Sequence, residues 1–146
     1  MDLELSYLLR VLVAAVLAGL LGYERERARK PAGLRTHMLV GIASALYTSL
    51  GMLAYESTDA TGYGRADPIR AIQAVALGVG FLGGGMIVTR REGRDVSGLT
   101  TAASIWATAA IGIAAGLAHY TLAIGATVLL LLVLRVLVRF DVGDEG

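Results

Sequence analysis

Cysteine is absent from this 146-residue chain. That excludes a disulfide framework, a thiolate metal site and a cysteine nucleophile. Proline and histidine each occur twice, phenylalanine twice and tryptophan once. No His-Glu-x-x-His, no Gly-x-Ser-x-Gly and no His/Asp/Glu grouping at metal-ligand spacing occurs, so the sequence offers no sign of an enzyme. No cofactor is expected, and a metal ligand set is left unassigned. Charged residues make up only 17% of the chain and hydrophobic ones 55%, which excludes a disordered chain. The net charge of +1 carries no signature of nucleic-acid binding.

Apolar surface and glycine are what the chain has in excess. Mean hydropathy is +0.65. There are 19 glycines, well above the ~7% of ordinary chains. A soluble domain of this size could not hide so much apolar side chain. A bilayer core needs about 20 mostly apolar helical residues. Thr36–Tyr55 and Ala71–Thr89 contain no Asp, Glu, Lys or Arg, and Leu5–Tyr23 contains only Arg10. Val96–Leu134 is also free of charge over 39 residues. As one helix it would run ~58 Å, nearly twice a ~30 Å bilayer core. It must fold back, and the natural break is Gly116-Leu117-Ala118-His119-Tyr120. The expectation is an all-α polytopic membrane protein, a bundle of five transmembrane helices over 5–23, 36–55, 69–89, 98–117 and 120–138. Residues 1–146 form a single transmembrane domain with no internal repeat.

Basic residues orient the bundle. Arg25, Arg27, Arg29, Lys30, Arg35, Arg90, Arg91, Arg94, Arg135 and Arg139 fall on one side, and Arg10, Arg65 and Arg70 on the other. Ten against three places the N-terminus outside and the C-terminus in the cytoplasm, and argues against a dual-topology exporter. The acidic start Met-Asp-Leu-Glu lacks a basic n-region, so a removable signal peptide is not expected.

Several polar groups sit where the bilayer makes them costly. Arg10 lies about two turns into the first span and either snorkels to the outer interface or pairs with Asp67 or Glu4. Asp67, Arg70 and Gln73 recur every three residues on one helix face. Asp67 reads as the N-cap of the third span, with Pro68 at its first position. The three form a capping and pairing cluster or a polar entrance for an ion. Glu24-Arg25-Glu26-Arg27 closes the first span as an interfacial anchor, or Glu24 pairs with Arg35 or a partner. Thr36 opens the second span, and Gly98, Thr100 and Thr101 open the fourth. Thr36, Ser97 or Thr100 would cap those helices. Alternatively, the free N–H groups with Arg35, Arg90, Arg91 and Arg94 would hold a lipid headgroup or phosphate. His37 and His119 read as interfacial residues, and mid-span Trp106 as a helix-packing residue.

The run Gly78-Val79-Gly80-Phe81-Leu82-Gly83-Gly84-Gly85 contains a G-x-G-x-x-G string inside an apolar segment, where no dinucleotide site forms. These glycines, with Gly112-x-x-x-Gly116, read as helix-packing surfaces. A locally unwound helix with bare carbonyls is the alternative.

Three blocks in order then resemble one family. The first is Gly22-Tyr23-Glu24-Arg25-Glu26 with Pro31-Ala32-Gly33-Leu34-Arg35-Thr36-His37. The second is Asp67-Pro68-Ile69-Arg70 with Gln73 and the glycine run, and the third is Val96-Ser97-Gly98-Leu99-Thr100-Thr101-Ala102-Ala103. Together they cover about residues 8–138 and resemble the MgtC/SapB family of bacterial inner-membrane proteins. The resemblance implies a five-span hydrophobic domain and a role in adaptation to low magnesium, acid or life inside a host. It also implies a regulator that acts on other membrane proteins, including the ATP synthase and transporters. Better-studied members carry a soluble domain after the fifth span, whereas eight residues follow Val138 here. They often have Asn at the position of Thr100, and Ser or Thr at that of Leu77. The leading expectation is a non-enzymatic regulator in the lipid bilayer, assembled as a homodimer. The second is a small ion transporter or channel, for example for magnesium, with Arg10, Asp67, Arg70 and Gln73 at its outer mouth. The third is a structural scaffold. A divalent cation wants several oxygen ligands, and no span interior holds Asp or Glu, which favours the first.

Overall fold

The computed structural model describes residues 3–57, 67–89 and 96–136. Arg65, Arg90, Arg91, Arg94, Arg139 and the last two residues of the expected fifth span lie outside the described residues. Five helices follow in order: α1 (Leu3–Arg27), α2 (Leu34–Glu56), α3 (Pro68–Met86), α4 (Leu99–Gly116) and α5 (Tyr120–Val136). The first four are long and apolar enough to cross a membrane, and α5 is a shorter apolar helix. This is the architecture that the charge-free stretches dictate, because a chain in lipid must satisfy its backbone within each helix.

The turns show how each helix stops. After α1, Arg29 takes φ 53°, while the Arg29 and Lys30 amides donate to the Glu26 and Arg25 carbonyls at 3.0 Å each. After α4, Ala118 takes φ 61°, with its amide and that of His119 donating to the Ala115 and Ala114 carbonyls at 2.9 Å. Both are Schellman ends. The left-handed position of the α4–α5 break is therefore Ala118, and Gly116 is the last residue of α4. At the start of α3 the Asp67 carboxylate accepts from the Ile69 amide at 3.0 Å, with Pro68 in the first turn.

Helix α3 remains continuous through its glycines, so the unwound alternative is not the observed geometry. It ends at Met86, three residues earlier than expected. Val88–Thr89 then pairs antiparallel with Val96–Ser97. Gly98 follows at φ +90°, where an added Cβ would meet the Met86 carbonyl oxygen, so only glycine fits this turn into α4.

Helix α4 is the most buried of the four long helices and α3 the least. One core cluster joins Leu17 and Leu21 of α1, Ala45 of α2, Ile111 and Ala115 of α4, and Ala123 and Leu134 of α5. A second joins Ala32, Val40, Val75, Val79, Ile105 and Ala109. Small residues let the central backbones approach. A Cβ on Gly112 would lie 2.5 Å from the Gly41 carbonyl oxygen, and one on Gly116 2.8 Å from that of Ala45. Trp106 points outward and is 55% exposed, so it is not the helix-packing residue its mid-span position predicts.

Candidate functional site

Two polar poles lie at opposite ends of the bundle. The first is built from the end of α1, the starts of α2 and α4, and the end of α5. Glu24 and Arg25 are both buried, Arg25 to 1% exposure, and their side chains pair at 2.5 Å. A second Arg25 nitrogen donates to the Leu134 carbonyl at 3.4 Å, which places a cation at the end of α5, where a helix favours positive charge. The third nitrogen, Nη1, is buried without a hydrogen-bond partner. Glu24 therefore pairs with its sequence neighbour, and Arg35, the partner considered from sequence, is exposed.

His37 sits beside this pair, fully buried rather than interfacial. Its Nδ1 lies 2.9 Å from the Gly33 carbonyl, which only accepts, so Nδ1 carries a proton. Its Nε2 lies 3.2 Å from Ser104 Oγ, which is 2.8 Å from the Thr101 carbonyl. The Ser104 hydroxyl donates its one proton to that carbonyl, or to Nε2 when the ring is neutral. His37 thereby ties α2 to α4. A line of buried hydroxyls continues inward along both helices. Thr108 donates to the Ser104 carbonyl and Thr48 to the Ser44 carbonyl, each at 2.8 Å.

The expected caps are replaced. The amide of Leu34 donates to Glu26 Oε2 at 2.8 Å, so the end of α1 caps α2 and exposed Thr36 does not. Gly98 precedes α4, with no side chain capping it. Thr100 is exposed and Thr101 is buried.

At the other pole, Tyr7 donates to Glu56 Oε1 at 3.2 Å, and the Arg10 guanidinium stacks 4.2 Å above the Tyr7 ring. Arg10 also donates to the Gly116 carbonyl at 3.2 Å, while its buried Nε has no partner. It makes no ion pair among the described residues, so neither Asp67 nor Glu4 neutralises it. The Gly116 carbonyl at the end of α4 takes the place expected of a carboxylate.

Asp67, Arg70 and Gln73 share the start of α3 but are all exposed, and they do not join Arg10. Arg70→Ala is therefore expected to shift stability by no more than about 0.5 kcal/mol. Asp67→Ala removes a cap and is expected to cost about 1 kcal/mol. Paired thermal melts in detergent check both, and equal losses would contradict the separation.

The glycines divide in two. Gly112 and Gly116 press on the α2 backbone, and Gly83 faces Ala102 of α4. Gly78, Gly80, Gly84 and Gly85 have nothing within 4 Å of an added Cβ. They pack against nothing among the described residues.

Sequence reasoning missed Ser104, Tyr7 and Glu56, and took His37 for an interfacial residue. No spacing in the sequence marks them; only the fold sets the His37 Cβ 2.9 Å from where a Gly22 Cβ would stand. Among the described residues, no group of three or more His, Asp or Glu side chains is placed to hold a metal ion.

A family model for the MgtC family matches residues 11–142 of the chain. YhiD of Escherichia coli (strain K12), whose name provisionally makes it a magnesium transporter, is 42% identical over 131 residues. That match covers 90% of this chain and 60% of YhiD. Protein SrpB of Synechococcus elongatus is 40% identical over 132 residues, 86% of this chain and 71% of SrpB. Protein MgtC of Salmonella typhimurium (strain LT2) is 38% identical over 129 residues, 88% of this chain and 51% of MgtC. The chain thus spans between half and three-fifths of YhiD and MgtC. No solved structure matches it.

Proposed function

The chain belongs to the MgtC family, and from that premise we propose that it is a non-enzymatic regulator of the bacterial inner membrane. It acts by helix contact with other membrane proteins, a second copy of itself among them. Its N-terminus faces outward and its C-terminus the cytoplasm, a reading that the ten-to-three split of basic residues supports. Its setting is adaptation to low magnesium, acid or host stress, and its partners are proteins such as the ATP synthase or a transporter.

The open face of α3 carries this proposal. Gly80 and Gly84 stand one turn apart with empty space above them, beside Leu77 at 76% exposure and Phe81 at 83%. Lipid does not distinguish apolar side chains, so helices in membranes pair where small residues let backbones touch. Two such glycines flanked on one side by two large apolar side chains form holes and knobs for a second helix. The polar groups of the bundle, by contrast, are largely spent on internal bonds.

Gly84→Leu is expected to leave the monomer folded, because nothing occupies the space its side chain enters, and to abolish oligomer assembly. Mass analysis in detergent beside a thermal melt checks this. Unchanged oligomer mass would remove α3 as the contact face.

The second reading is a small ion transporter, for example for magnesium. The buried hydroxyls of Ser104, Thr108, Ser44 and Thr48 favour it. Magnesium flux into proteoliposomes separates the two. The expected result is no uptake above empty liposomes. Concentration-dependent uptake lost in Asp67→Asn or Gln73→Ala would make the protein a transporter.

A further inference from the structure

Between α2 and α3 runs an apolar groove of about 550 Å3, walled by Leu39, Ala43 and Tyr47 on one side and Ala74, Gly78 and Leu82 on the other. Past its end lies a second cavity of about 630 Å3, lined by Arg29 and Lys30, by Gly85 of α3 and by Thr100 and Thr101 of α4. Both volumes fall within the ~300–1,000 Å3 of small-molecule sites.

The two cavities share one flank of α3. Ala74, Gly78, Leu82 and Gly85 are spaced by four, four and three residues, so they form a single stripe along the helix. Leu82 to Gly85 is a rise of ~4.5 Å. The stripe therefore leads from the apolar groove directly to the basic cavity. The Gly80–Gly84 pair is turned away from this flank around α3, with Phe81 at the border between the two. No Asp or Glu is among the described residues lining either cavity. The groove lies along membrane-crossing helices, while the basic cavity lies where α3 ends and the connecting loop enters α2. A long apolar slot closed at one end by two cations matches a molecule with an apolar tail and an anionic head.

We propose that this cleft binds one anionic phospholipid. Its acyl chain lies against Gly78 between α2 and α3, and its phosphate meets Arg29, Lys30 and the Thr100 hydroxyl. Positive charge selects the headgroup and the missing Gly78 side chain makes room for the tail. This site goes beyond the regulatory reading and does not depend on it.

Native mass spectrometry of the full chain in detergent tests this, with phosphatidylglycerol and phosphatidylcholine of identical chains titrated separately. The expected result is one phosphatidylglycerol per protein, bound at least tenfold more tightly than phosphatidylcholine. Arg29→Gln with Lys30→Gln, both exposed, should bring the two lipids to equal affinity. Gly78→Leu enters open space and should weaken both lipids at least tenfold with an unchanged melting temperature. If that variant melts early, the charge variant alone decides. Equal binding of the two lipids by the wild type would overturn the site, as would wild-type binding by the charge variant. Phosphatidylglycerol binding that survives Gly78→Leu unchanged and is displaced by inorganic phosphate would mean a phosphate pocket without a tail groove. A Gly78→Leu variant that loses dimer rather than lipid would mean that a second copy fills the groove. Each of these also overturns the proposal.

Discussion

Glu24→Ala is expected to destabilise the protein by about 3–5 kcal/mol, the cost of leaving a buried cation without its counter-charge. Arg25 is 1% exposed, and Glu24 is the only carboxylate that pairs with it among the described residues. The guanidinium holds one further bond, the 3.4 Å contact to the Leu134 carbonyl, and already has one unpartnered nitrogen. With Glu24 gone, the cation can stay only by drawing water into the junction of α1, α2 and α5, or by leaving it. Either route pulls apart the contact between α1 and α5. Glu24→Gln keeps an acceptor in place and should cost less. Replacing both residues, Glu24→Ala with Arg25→Met, removes the charge problem and should recover part of the loss. Thermal melts of the three variants in one detergent form the check. A Glu24→Ala protein that melts like the wild type would show the pair to be dispensable.

Gly112→Leu is expected to prevent folding of the bundle. Even the Cβ of Ala at this position would lie 2.5 Å from the Gly41 carbonyl oxygen and 2.9 Å from Ser44 Cβ. The obstacle is the α2 backbone, which cannot rotate away as a side chain can. Gly41 is itself held, because a Cβ there would meet Ala18 Cβ at 2.5 Å. Overpacking a fitted core costs about 1–3 kcal/mol, so Gly112→Ala should lower the melting point and still yield folded protein. Leucine adds three more carbons at the same point and should leave no monodisperse protein after purification. Gly84→Leu is the control, with the same substitution on a face that meets no described residue of its own chain. If Gly112→Leu purifies and melts like Gly84→Leu, the approach of α2 and α4 is looser than described.

The glycine pair shows where sequence reading stops. Gly80-x-x-x-Gly84 and Gly112-x-x-x-Gly116 have the same spacing in the same kind of apolar helix. One faces open space and the other a backbone. Spacing shows that two glycines share a face but not which way the face turns. Glu24 and Arg25 teach a related point. Adjacent residues on a helix do not usually face each other, and the sequence suggested an interfacial anchor, or a pairing of Glu24 with Arg35 or a partner. Burial at the helix junction brings the neighbours together. Arg10 had two candidate carboxylates in the sequence and uses neither. It finds a backbone carbonyl of α4 and an aromatic ring, acceptors that carry no distinctive sequence signal.

Five apolar helices, the fold-back near Gly116, the Asp67-Pro68 start of α3 and the family were legible in the residues alone. Each rests on local chemistry: a segment in lipid must close its own hydrogen bonds, and caps act within a turn. The burial of His37, the Glu24–Arg25 pair, the carbonyl that receives Arg10 and the empty space beside Gly78 and Gly84 were decided only by the tertiary structure. They depend on which faces of separate helices meet, and residues far apart in the chain settle that together.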